Sequence, residues 1–224
     1  MITYEEIKAS ETISSYIRAA DSVLDALNYT EHGFAHVGAV AHTAGYILET
    51  LGYPKRDIEL VKIAAHMHDI GNMVNRVGHA QSGAIMAFQI LNGMGMPPED
   101  IAAVVSAIGN HDEGTAEPIS PIAAALILGD KTDVRRSRVR HYSDVSEDDV
   151  HDRVNFAAEK TNVRIISEGG RNIFELEMKL DKEYGSVMNF FEIYLSRMTL
   201  CRKACAALGM DFRTLVNGQQ ITRH

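Results

Sequence analysis

At 224 residues, 46% hydrophobic and 23% charged, the chain can bury the core of one large domain, or of a domain plus a small extension. A formal net charge of −8 argues against a general nucleic-acid surface, which needs basic stripes along the phosphate backbone. No apolar run approaches the roughly 20 residues of a membrane helix. The polar opening MITYEEIKAS lacks a signal-peptide stretch. The two cysteines, Cys201 and Cys205, lie a helical turn apart and read as small core residues, so no disulfide framework is expected. A cytoplasmic protein follows as the expectation.

Helical periodicity dominates up to about residue 140. Ile7, Ile13, Ile17, Val23, Leu24 and Leu27 mark one or two opening helices. A helix from about His36 to Leu51 ends at Gly52, with Pro54 beyond. Asp57 is expected to cap the next, which runs to Ile70 and stops at Gly71-Asn72. Further helices are expected over about Ala80–Leu91, then from Pro97-Pro98 to Ile108. After a loop from Gly114 to Ser120, Pro121 opens an apolar helix, IAAALIL, that must be buried.

The pattern changes near residue 150. Val163–Ser167 and Ile173–Leu180 read as strands joined by the hairpin signal Glu168-Gly169-Gly170-Arg171. The alternation of Phe174, Leu176, Met178 and Leu180 with polar residues predicts one wet face. A long amphipathic helix follows from about Ser186 to Leu208, then a third strand over Phe212–Val216. The expected architecture is mainly α: a helical domain over 1–148 and an α+β extension over 149–224, a β-hairpin plus a long helix.

Histidine is the commonest metal ligand among side chains, and His32, His36, His42, His66, His68, His79 and His111 all fall in the first half. His68-Asp69 ends an apolar helix in AAHMHDIG, where a carboxylate opposes the macrodipole at a cost of roughly 0.3–1 kcal/mol. Asp130 closes the buried helix in the same way. A divalent cation would relieve both, and imidazole with carboxylate suits a first-row metal.

The order His36, His68-Asp69, His79, His111, Asp130 resembles the HD-domain superfamily of metal-dependent phosphohydrolases. The segments HGFAHVGAVAHTAGYIL, ELVKIAAHMHDIGN, GHAQSGA, GNHDEG and LILGDKTDVRRSR carry the resemblance over about residues 30–140. It implies a helical HD-domain bundle in which His36, His68, Asp69 and Asp130 hold one metal. Asp69 would bridge to a second, held with help from His79 and His111. The cofactor would be one or two divalent ions, Mn, Fe, Co, Ni or Zn, with Mg as an alternative. The implied reaction is hydrolysis of a phosphate ester or anhydride in a nucleotide-like small molecule by a metal-activated water, with Asp69 orienting it. His111 or His79, where not a ligand, would donate a proton to the leaving oxygen.

The chain departs from the family at two positions. Asn72 stands where many relatives place a phosphate-contacting lysine, and Asn110-His111 where some place two histidines. No GYP tripeptide follows, which disfavours the cyclic-dinucleotide branch. Asn72, Lys131, Arg135 and Arg136 are the candidate substrate contacts, while Arg138 and Arg140 read as a solvated helix end. His32 reads as a surface or rim residue, and His42 and His66 as pointing elsewhere. The extension fits a homodimer interface somewhat better than a substrate lid. The rivals to a hydrolase are a non-catalytic metal- or nucleotide-binding signalling module, a dinuclear-iron oxygenase, and a helical interaction protein without metal.

Overall fold

Caps and apolar spacing start the helical part. Thr3 and Glu6 form a capping box for α1 (Tyr4–Ala9), and Ser10 both ends that helix and caps α2 (Glu11–Ala26) through the Ile13 amide. Ile7, Ile13, Ile17 and Leu24 are buried, as their spacing predicts. The computed structural model describes residues 1–140, 150–181 and 187–222; of 150–153 and 187–193 only the backbone elements are described.

α3 (Phe34–Thr50) ends before Gly52, whose φ of 77° suits a residue without a Cβ. α4 (Lys55–Met67) starts from Pro54 rather than from Asp57. Proline's fixed φ and missing N–H serve at a helix entrance, and Asp57 sits in the first turn, where an acid favours the dipole. A 3-10 turn (Ile70–Met73) follows, then α5 (His79–Gly93), α6 (Pro98–Gly109) and α7 (Pro121–Lys131).

α7 is the pillar of the bundle. Ile122 through Gly129 are all buried, and the helix packs on α3, α4 and α6. Small residues permit this: a Cβ on Gly129 would lie 2.8 Å from the Val40 carbonyl oxygen. α7 therefore brings Asp130 up to α3 and to the end of α4.

The C-terminal part comprises α8 (Val150–Ala157), which periodicity did not reveal, β1 (Ala158–Glu168), β2 (Arg171–Leu180), α9 (Val187–Ala207), β3 (Met210–Val216) and β4 (Gln219–Gln220). The sheet order is β1-β2-β3-β4. β1 and β2 form the expected hairpin, though β1 begins at Ala158 rather than Val163. β2 and β3 are parallel, so α9 is the crossover between them. The expected wet face of β2 is partly closed: Glu175 is buried, with Arg164 and Arg213 on its carboxylate.

This part packs on the helical one. α9 contacts α7, Thr161 Oγ1 donates to the Val134 carbonyl at 2.6 Å, and Tyr46 OH accepts from Ile165 N at 3.1 Å. The expected boundary at 148–149 falls outside the described residues, as do the side chains of Phe190 and Phe191. Among the described residues no helix is long and apolar enough to cross a membrane.

Candidate metal centre

Helix ends build the site. His36 lies in the first turn of α3, His68 caps the end of α4, and Asp69 follows it. His79 opens α5, His111 follows α6, and Asp130 lies in the last turn of α7. All four histidines and Asp69 are buried. The fold brings these six residues together.

The orientation of the imidazoles is the informative feature. His68 Nδ1 donates to the Ala65 carbonyl at 2.7 Å, His79 Nδ1 to Arg76 O at 3.0 Å and His111 Nδ1 to Ile108 O at 2.6 Å. His36 Nδ1 donates to Asp133 Oδ2 at 2.8 Å. Carbonyls and carboxylates accept only, so in each neutral ring the proton sits on Nδ1 and Nε2 is a bare lone pair. Those lone pairs then face one another: His36 and His68 Nε2 at 3.3 Å, His79 and His111 Nε2 at 3.2 Å, with Arg76 Nη1 also 3.4 Å from His79 Nε2. Two lone pairs at that distance repel, and a shared cation, whether a proton or a metal ion, relieves the repulsion.

Asp69 lies between the two pairs. Its Oδ2 is 3.1 Å from His68 Nε2 and 3.6 Å from His36 Nε2, and has no hydrogen-bond partner among the described residues. Its Oδ1 is 3.5 Å from His79 Nε2 and 3.9 Å from His111 Nε2. Asp130 Oδ1 completes the first group, 3.4 Å from His36 Nε2 and 3.8 Å from His68 Nε2. Ligand atoms about 2.0–2.2 Å from a common ion lie about 3.0–3.6 Å apart, so these separations fit ligation with little movement. The groups His36–His68–Asp130 and His68–Asp69–His111 are each compact enough to hold an ion. The donor set, the outward Nδ1 bonds and the orphaned Asp69 oxygen fit a divalent metal.

Electrostatics agree. Burial pushes His111 down to about 3, which keeps it neutral. Burial also works against charge on His68, but Asp69 and Asp130 outweigh it and raise its pKa. The buried Asp69 and the largely buried Asp130 thus favour positive charge at their meeting point.

A cavity of about 130 Å³ opens onto the cluster, lined by Asp69, His79, His111 and Asp130 and by the cations Arg76, Lys131, Arg138 and Arg197. Lys131, one of the candidate substrate contacts, lines this cavity, with its Nζ 2.7 Å from Asp130 Oδ2. Three other candidates sit elsewhere. Asn72 is buried off the cavity and donates to Asp69 Oδ1 at 2.9 Å, so it orients a ligand. Arg135 chelates Asp133, through Nε at 2.6 Å and Nη2 at 3.0 Å. Arg136 turns to the Phe156 carbonyl and Asp181.

Arg138, read as part of a solvated end, is buried in the cavity wall, with Nε on Glu31 O at 2.9 Å. Arg140 does pair away from the site, with Asp21. His32 lines the cavity, His42 lines a separate one behind Asp133, and His66 is buried edge-on to Tyr4. Arg76 and Arg197 were not anticipated. Arg76 lies between two histidine motifs, a weak signal, and Arg197 had none beyond its place on an amphipathic helix.

A histidine–aspartate cluster at the convergence of helix ends gives this helical domain a donor set compatible with a divalent metal. Residues 33–135 match the HD domain family. The uncharacterized protein MJ1020 of Methanocaldococcus jannaschii is similar, 22% identical over 204 residues, covering 81% of this chain and 77% of its own length. Among solved structures, a predicted HD superfamily hydrolase from an uncultured Thermotogales bacterium is 24% identical, with a TM-score of 0.46, covering 65% of this chain and 82% of its own. A structural-genomics target from Lactobacillus plantarum is 17% identical, with a TM-score of 0.45 and 89% of each chain covered.

Proposed function

We propose that the protein is a metal-dependent hydrolase that cleaves a phosphate ester or anhydride in a nucleotide-like small molecule. The observation that carries this is the placing of Asp69, one carboxylate oxygen toward the Nε2 atoms of His36 and His68 and the other toward those of His79 and His111. That arrangement suits two ions, with Asp69 shared and Asp130 completing the first set. Mn, Fe, Co, Ni or Zn match the mixed nitrogen and oxygen donors better than Mg. When bound, the metal supplies positive charge for the phosphoryl oxygens and a lowered pKa for water.

The chain's own residues do the rest. Asn72 holds Asp69 in register, and Asp133 and three backbone carbonyls hold the rings. With their Nδ1 protons committed, His79 and His111 serve as lone-pair donors rather than as acids. Lys131, beside Asp130 in the cavity wall, meets the phosphoryl group. The cavity volume of about 130 Å³ is well below the roughly 300–1,000 Å³ of sites that enclose a whole small molecule. The phosphoryl end enters, and the rest of the substrate lies at the mouth beside Tyr29 and Arg76.

The test is phosphate release from a panel of nucleotides and other phosphorylated metabolites by protein loaded with each metal in turn, with Asp69→Ala as control. Metal-dependent release that Asp69→Ala abolishes is expected. No release with any of these metals, or release indifferent to the substitution, would sink the reading.

A further inference from the structure

We propose that Arg197, carried by α9 from outside the HD domain, is a recognition residue for the terminal phosphate dianion of a phosphomonoester substrate. The proposal rests on the hydrolase reading above and deepens it.

The family segment ends at residue 135, yet the cavity wall does not. Arg197 lines the cavity together with Asp69, His111, Asp130 and Lys131. Its side chain is 22% exposed, so it is largely withdrawn from bulk solvent. Two contacts fix it. Nε donates to Glu113 Oε1 at 2.5 Å, and the guanidinium lies 5.2 Å from the centre of the Tyr194 ring. Ser196 Oγ donates to the other oxygen of Glu113 at 3.1 Å. Glu113 stands two residues after His111, so α9 is tied to the loop that presents one of the metal-facing imidazoles. A guanidinium held through Nε keeps donors in its plane for a second, bidentate partner.

Charge decides what that partner is. The cavity lining holds Arg76, Lys131, Arg138 and Arg197 against Asp69 and Asp130. Glu113 stands behind Arg197, Asp133 is shared by Arg138 and Arg135, and Asp112 lies 4.0 Å from His79 Nε2, so with Arg135 and these three acids counted the site is balanced. Each divalent ion then adds two positive charges to a poorly solvated space, an excess that favours the more highly charged phosphate. A monoester phosphate carries close to two negative charges near neutral pH, whereas a diester carries one and needs room for a second substituent. A cavity of about 130 Å³ suits the compact dianion on both grounds.

The experiment is calorimetric titration of the metal-loaded full chain with inorganic phosphate and, separately, with dimethyl phosphate, with metal content and melting temperature recorded for each protein. The wild type is expected to bind phosphate at least about 10-fold more tightly than dimethyl phosphate. Arg197→Ala should lose about 10-fold or more in phosphate affinity, the worth of one charge-assisted contact, at unchanged metal content. Arg197→Lys should recover only part, since it restores charge without the fork. Should Arg197→Ala fail to fold, Arg197→Gln and Glu113→Gln provide the reading, and each should weaken phosphate relative to wild type.

Phosphate affinity within 2-fold of wild type in the folded Arg197 variants overturns the proposal while leaving the hydrolase intact. Equal wild-type binding of the two probes overturns the monoester assignment. A metal-loaded wild type that binds neither probe and releases no phosphate overturns the hydrolase reading itself.

Discussion

Asp133 Oδ2 lies 2.8 Å from His36 Nδ1, so an acid that faces away from the cavity sets the direction of a ring that faces into it. Burial opposes charge on Asp133, but His36, Arg135 and Arg138 hold its carboxyl well below the usual range. The carboxylate therefore stays ionised, keeps the His36 proton on Nδ1, and leaves Nε2 bare toward His68 and Asp130.

Asp133→Ala should weaken metal affinity about 10–100-fold, the usual range for an outer-shell partner of a metal-ligating histidine. Asp133→Asn should lose less, because its amide oxygen still accepts from Nδ1. Competition with a coloured chelator measures both. Equal affinity in Asp133→Ala and wild type would show that the ring holds its direction without the carboxylate.

Gly71→Ala tests how the second imidazole pair is placed. A Cβ there would lie 2.0 Å from the His79 carbonyl oxygen and 2.5 Å from the Gly83 amide nitrogen, both backbone atoms that cannot rotate away. α5 must shift, at a cost of about 1–3 kcal/mol by denaturant unfolding. Because His79 moves with α5 while His36 and His68 belong to α3 and α4, metal stoichiometry should fall by the ion nearest His79 and His111. Unaltered stability and stoichiometry would count against this geometry.

Arg136→Ala should leave the substrate KM unchanged, since Arg136 bonds the Phe156 carbonyl and lies near Asp181 rather than lining the cavity. Its loss should instead lower stability by about 1 kcal/mol, from the broken tie between the helical part and α8. Lys131→Ala should do the reverse and raise KM. Steady-state kinetics alongside urea unfolding separates the two. A large KM effect at Arg136 would place the phosphate somewhere other than the cavity.

The thiols give a pH dependence whose sign is fixed. Burial pushes Cys201 up to about 12 from an ordinary value of 9.0. Above pH 9 the unfolded chain therefore releases a proton that the native chain retains, so stability falls as pH rises between 9 and 12. From pH 8 to 10 the loss from this one group is about 1 kcal/mol. Cys201→Ala should lessen that slope without removing it, since burial raises Cys205 as well, in urea unfolding at the two pH values. Native protein at pH 8 should also resist thiol labelling until denatured. Rapid labelling of the folded chain at both cysteines would contradict their burial.

Much of the helical part was legible because its signals are local. Ile7, Ile13 and Ile17 repeat at helical spacing, Gly52 and Pro121 punctuate, and the 121–131 stretch is too apolar for any place but the centre. The ligand candidates could be read for the same reason: acids and imidazoles at the ends of apolar helices violate local rules in a way that a shared cation repairs. The direction of a long cationic side chain is not local. Arg136 and Arg138 stand two residues apart on one short turn, yet Arg136 reaches the Phe156 carbonyl and Arg138 the cavity wall, as their distant neighbours dictate.

The sequence by itself determined the helices other than α8, the hairpin, and which imidazoles and carboxylates were candidates to meet, since hydrophobic period and turn chemistry act over a few residues. Only the tertiary structure decided the parallel pairing of β2 with β3, the carboxylate behind His36, and the arrival of Arg197 beside His111. Each depends on contacts between segments tens of residues apart, and those become specific only once the packed core has fixed where every helix ends.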